Sequence, residues 1–173
     1  MNKDVINKLY WIFWFVTTIL TGILSGFMIS HSLILGGFFT WCIESGNVDL
    51  IRKGFSIYRE TDNYPLLYLL YYSPILISLV SGPVWVVLAF LKKRYRVISL
   101  IAGLSTYWVG VIFAGTGFGK VEEAVMKGIA DDTTRQFFVT FNVPIHTYNA
   151  IIYSVSFLLL LVVVLIKEKI HNN

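Results

Sequence analysis

Asn142, His146, Asn149 and Tyr153 are spaced four, three and four residues apart in a stretch without charge from Gln136 to Ile166. On a helix this spacing puts the four side chains on one stripe. Arg135, seven residues before Asn142, extends the stripe to the end of the run. Polar groups turned toward lipid are costly, so the stripe is expected to face protein or a water-filled cavity. Imidazole carries protons near neutral pH, and a carboxamide both donates and accepts hydrogen bonds. The pattern suits a pocket in which His146 transfers a proton or binds a metal. Asn142 and Asn149 would hold a substrate oxygen, with Arg135 at the mouth and Tyr153 deeper. The plainer alternative is polar bonding between helices, typically about 1 kcal/mol or less per bond. Pro144 interrupts the stripe and frees the carbonyl of Thr140 as a further acceptor.

His31 is the other histidine in an apolar run, and His171 is expected to be solvated in the polar tail. His31 lies toward the outward end of its run and His146 three turns into its own run from that same side, so the two can meet. Glu44, Glu60, Glu122 and Glu123 are the carboxylates available to fold over that mouth. Two imidazoles with carboxylates suit copper, iron or zinc. No His-x-x-x-His or Glu-x-x-His pair occurs within any one run.

The elements that must position these residues follow from composition. Hydrophobic residues make up 56% of the chain and charged ones 14%, with mean hydropathy +0.70. A soluble domain carries about 25% charge. Four runs lack Asp, Glu, Lys and Arg altogether: Leu9–Ile43, Asn63–Leu91, Val97–Gly119 and Gln136–Ile166. Each exceeds the roughly 20 residues that a helix needs to cross the hydrocarbon core. The expected fold is all-α, an integral membrane four-helix bundle with spans at about 9–35, 64–91, 97–119 and 137–166, the whole chain 1–173 forming one domain. The first run is too long for the apolar core of a signal peptide.

Charge placement predicts the topology. The N-terminus, the loop Lys92–Arg96 and the C-terminus hold eight Lys/Arg against two acids; the other two loops hold six against eight. The positive-inside rule then puts both termini in the cytoplasm, in a bacterial cytoplasmic membrane. Because the basic residues sit at membrane edges, the pI of 9.2 does not imply nucleic acid. The lone Cys42 excludes an intrachain disulfide and a thiol-rich metal cluster. Both outward loops are expected to contain short helical pieces, over 45–59 and 120–127. Gly128 should stop the second, and Asp131–Thr134 should cap the last span.

Small residues recur every fourth position at Thr18, Gly22, Gly26 and Ser30, and again at Gly110 and Ala114. They allow close helix packing within the chain, or a homo-oligomer through the Gly22/Gly26 face. Tyr10, Trp11 and Trp14 are placed at the inner interface and Trp41 at the outer. Pro65 should open the second span, with Pro74 and Pro83 kinking it. Gly115–Gly119 is glycine-rich but follows no strand, so it is read as the exit from the third span and not as a dinucleotide loop.

Four spans, a Gly-rich first span and the stretch Arg135-Gln-Phe-Phe-Val-Thr-Phe-Asn142-Val-Pro144-Ile-His146-Thr-Tyr-Asn149 resemble the anthrone-oxygenase-like family of small bacterial membrane proteins. The layout covers nearly the whole chain and the specific motif about fifteen residues of it. The resemblance implies a four-helix bundle that oxidises polycyclic anthrones with molecular oxygen, with Asn142 and Asn149 as pocket residues. The chain departs from that family after the motif, where residues 154–166 are almost purely apolar.

The expected function is that of a membrane-embedded oxidoreductase or oxygenase-like protein. Its substrate would be a hydrophobic aromatic or quinone-type molecule held in the outer half of the bundle. His146 and His31 are the candidate catalytic or metal-binding groups, and the cofactor is a metal, a quinone or none. The alternative is a non-enzymatic accessory subunit that recognises a partner protein through its outer loops.

Overall fold

A charge-free run in hydrocarbon must satisfy its own backbone, and a helix does so locally. In the computed structural model, which describes residues 2–51, 53 and 64–171, no strand occurs and every regular element is helical. They are α1 (Lys3–Ser30), a π-helical segment (His31–Leu35), α2 (Gly36–Glu44), α3 (Tyr64–Leu91), α4 (Arg96–Gly103), α5 (Ser105–Thr116), α6 (Phe118–Lys127) and α7 (Asp132–His171). Of the predicted helical piece over 45–59, positions 48–51 and 53 are helical, whereas 52 and 54–59 lie outside the described residues, as does Glu60.

Among the described residues, three stretches are long and apolar enough to cross a membrane: Lys3–Glu44, Tyr72–Leu91 and Asp132–Ile166. The expected third span is broken into α4 and α5, which meet at a 48° bend. Exposed positions are apolar too, with Ile12, Phe15, Ile19 and Ile23 on α1 and Ile151, Val155, Leu158 and Leu165 on α7. Water penalises such faces and hydrocarbon does not. The chain therefore has the build of a membrane protein.

Sequence signals account for the helix ends. Pro65 lies in the first turn of α3, where its missing N–H removes nothing. Pro74 and Pro83 lie inside α3, which continues through both. The helix α6 stops at Gly128, where Gly128 N–H bonds Val125 O and Ile129 N–H bonds Ala124 O, each at 3.0 Å. This is a Schellman closure. Asp131 then caps α7 by accepting the Thr134 N–H at 2.7 Å.

Two compact units are distinguished. The first comprises Met1–Gly26, Ser73–Val109 and Ile151–Asn173; the second comprises Phe27–Tyr72 and Gly110–Ala150.

The first unit packs around Tyr10, Trp85, Leu88, Ala89, Ala102, Leu160 and Val163. Tyr10, expected at the interface, is buried against Trp85, with Lys92 4.4 Å from its ring centroid. Hydrogen bonds lock the helices of this unit. Trp14 Nε1 donates to Leu160 O at 3.0 Å, Ser25 and Ser154 share a bond of 2.7 Å, and Ser78 and Thr106 share one of 2.8 Å. Closest of all is the crossing of α3 and α4, where a Cβ on Gly82 would stand 1.9 Å from Gly103 O. Only hydrogen fits there. Gly22 packs against the Phe157 ring, where a Cβ would lie 3.0 Å away, whereas a Cβ on Gly26 would meet nothing within 4 Å.

The second unit has an aromatic-rich core of Phe118, Val125, Ala130, Phe138 and Ile145, flanked by Phe39, Ile43 and Phe113. Gly117, with φ of 68°, turns the chain from α5 into α6 and so sets the start of the helix that carries Glu122.

Candidate functional site

The second unit brings three of the predicted groups together. His31 begins the π-helical segment, Glu122 lies midway along α6, and His146 lies in α7. One ligating atom from each lies within 4.8 Å of those of the other two. The two imidazoles stack with ring centroids 3.7 Å apart and planes 22° from parallel. Aromatic edges surround them: Phe39 at 6.1 Å from His31, and Phe113 and Phe118 at 5.7 and 5.8 Å from His146.

Local structure explains the orientation of each group. His146 Nδ1 lies 2.8 Å from the backbone oxygen of Asn142. A carbonyl only accepts, so Nδ1 carries the hydrogen and Nε2 keeps its lone pair. Asn142, fully buried, is itself tied to the first apolar stretch: its Nδ2 donates to Gly36 O at 2.9 Å and to Thr40 Oγ1 at 3.3 Å.

That attachment depends on the π-helical turn. The N–H of Gly36 bonds His31 O, five residues back. A Cβ on Gly36 would lie 2.9 Å from His31 O and 3.5 Å from Asn142 Nδ2. Glycine thus allows the wide turn and the amide to meet. Single π turns inside helices recur at functional sites.

Glu122 is partly buried, and burial pushes its carboxyl above the usual carboxylate range. It shares a helix face with buried Phe118 and Val125, four residues before and three after. Glu123 points away, ion-paired with Lys127, which holds its carboxyl below the usual range. Of the four acids singled out in the sequence, Glu122 joins the histidines; Glu44 is exposed.

The remaining stripe residues divide. Asn149 is fully buried in the second unit, and among the described residues neither its Oδ1 nor its Nδ2 has a hydrogen-bond partner. Asn142 Oδ1 and His31 Nε2 are likewise buried without one. Arg135 pairs with Asp132 on its own helix at 3.7 Å. Tyr153 belongs to the first unit, where its hydroxyl donates to Thr106 Oγ1 at 3.4 Å.

Sequence reasoning did not identify Gly36, Thr40 or the phenylalanine walls as parts of the site. No local signal marks Gly36, whereas the 118–122–125 spacing would have singled out Glu122 from Glu123. Chemically, the site combines two imidazoles and a carboxylate among aromatic edges, with the Asn142 backbone oxygen bonded to His146.

No family model, curated protein or solved structure matches this chain.

Proposed function

We propose that this chain is a four-span bundle of a bacterial cytoplasmic membrane, with both termini cytoplasmic, acting as an oxidoreductase of the anthrone-oxygenase type. Its substrate is a hydrophobic aromatic or quinone-type molecule drawn from the lipid. The observation that carries this reading is the meeting of His31, Glu122 and His146 within walls made by Phe39, Phe113 and Phe118. Titratable groups held in an apolar enclosure are suited to proton transfer, and aromatic walls are suited to planar rings.

For an anthrone-type substrate, the ring methylene loses two hydrogens and gains one oxygen atom from O2, and the second oxygen leaves as water. The methylene proton must first pass to a basic group, and the triad supplies it. The unpaired amide atoms of Asn149 offer a donor and an acceptor for the substrate's carbonyl or hydroxyl.

The test is oxygen consumption by the purified protein in lipid nanodiscs with anthrones and quinols. Wild type is expected to turn over, and His146→Ala to lose about a hundredfold or more. Equal rates in wild type, His146→Ala and Asn149→Leu would overturn the reading. A stoichiometric protein partner without turnover would favour an accessory subunit instead.

A further inference from the structure

The triad also has the donor composition of a metal site. We propose that His31, Glu122 and His146 bind one divalent first-row transition ion, through the two Nε2 atoms and one carboxylate oxygen. This deepens the oxidoreductase reading and rests on it, since it names the cofactor of the same site.

Several independent features point to a cation. The three ligating atoms already lie within 4.8 Å of one another. The bond from His146 Nδ1 to Asn142 O fixes the tautomer that leaves Nε2 available, as outer-shell carbonyls do for metal-bound histidines. Asn142 is anchored in turn on Gly36 O, so that outer shell is itself held in place. His31 Nε2 is buried and has no hydrogen-bond partner among the described residues. Glu122 is partly buried and forms no ion pair among the described residues. A cation shared with the two imidazoles would satisfy both groups.

The donor set also defines the ion. Two nitrogens and one oxygen suit zinc, iron(II), cobalt or copper, whereas magnesium and calcium prefer oxygen throughout. Three protein ligands leave coordination positions open, unlike a closed four-ligand structural zinc site. Bonds of about 2.0–2.1 Å place nitrogen donors about 3.3 Å apart around a tetrahedral ion. Imidazole lone pairs lie in the ring planes, so two rings 22° from parallel must tilt apart to converge on one ion. The second oxygen of Glu122 stays free to accept a proton.

The experiment uses the full chain without a histidine tag, in nanodiscs, stripped with a chelator and titrated with Co2+. One Co2+ per chain with a visible ligand-field band is expected, together with a higher melting temperature. His31→Gln, Glu122→Gln and His146→Gln should each weaken binding by about tenfold or more, while Glu123→Gln should not. Binding by wild type no tighter than about 100 µM would overturn the proposal. So would wild-type affinity in His31→Gln and Glu122→Gln.

Should a variant fail to fold, the Cu2+ form of the wild type decides. Nitrogen splitting from two imidazoles in its paramagnetic resonance spectrum supports the site, and its absence overturns it. Metal bound without turnover of any quinol or anthrone would sink the oxidoreductase reading and leave the site standing. Turnover by metal-free protein would leave the oxidoreductase reading standing and overturn the ion's role as its cofactor.

Discussion

The imidazole rings of His31 and His146 lie face to face, 3.7 Å between centroids and 22° from parallel. The contact joins the first apolar stretch of the chain to the last, through residues with no local reason to meet. Because the two rings touch, their substitutions should not be independent. His31→Leu and His146→Leu, made singly and together, are expected to show a coupling of about 0.5–1.5 kcal/mol in thermal unfolding in nanodiscs. Strict additivity would mean that the stack contributes nothing to stability.

The two buried asparagines should respond in opposite ways. Asn142 Nδ2 bonds Gly36 O and Thr40 Oγ1, so Asn142→Leu removes both bonds and should cost about 1–2 kcal/mol. Neither amide atom of Asn149 has a partner among the described residues, so Asn149→Leu should leave stability unchanged or raise it. If Asn149 holds the substrate, the same variant raises KM with little effect on melting. Melting curves read beside steady-state kinetics separate the two effects.

The Gly82–Gly103 crossing should be the position least tolerant of a methyl group. A Cβ on Gly82 would stand 1.9 Å from backbone oxygen, which cannot rotate aside, so Gly82→Ala should cost more than the about 1–3 kcal/mol typical of overpacking. Gly110 has open space around it, so Gly110→Ala should be neutral or stabilising by up to about 1 kcal/mol. Similar melting temperatures for the two variants would contradict the close crossing.

Hydrogen bonds from Thr134 hold the Asp131 carboxyl below the ordinary aspartate range. A folded-state value below the unfolded one stabilises the protein above the unfolded value, and that contribution disappears as pH falls through the folded value. Asp131→Ala should therefore lower the melting temperature at neutral pH. The gap from wild type should close at the acid end of the titration. A gap independent of pH would exclude the charged cap.

The small-residue face of α1 separates into two parts. Gly22 is covered by Phe157, but a Cβ on Gly26 would meet nothing within 4 Å among the described residues. If copies associate through this face, Gly26→Ile should convert an oligomer into a monomer in native mass spectrometry from nanodiscs. A wild type that is already monomeric removes that association.

Particular residues show what was legible in the sequence. Runs without charge, the stop at Gly128, the cap at Asp131 and the burial of Asn142, His146 and Asn149 could all be read directly. Each depends on interactions within a few residues: backbone bonds one turn away, the 3.6-residue period, or the transfer of a side chain out of water. The break at Leu104, the π turn after His31, the choice of Glu122 over Glu44 and the bond between Tyr153 and Thr106 could not.

Those features are decided by how each helix is rotated and how far it slides against neighbours distant in the chain. In hydrocarbon that choice rests on close packing and on bonds such as Asn142 to Gly36, not on apolarity, because lipid is as apolar as the helices themselves. The sequence by itself thus determined the helices and which groups had to be sheltered. Only the tertiary structure decided that His31, Glu122 and His146 are sheltered together.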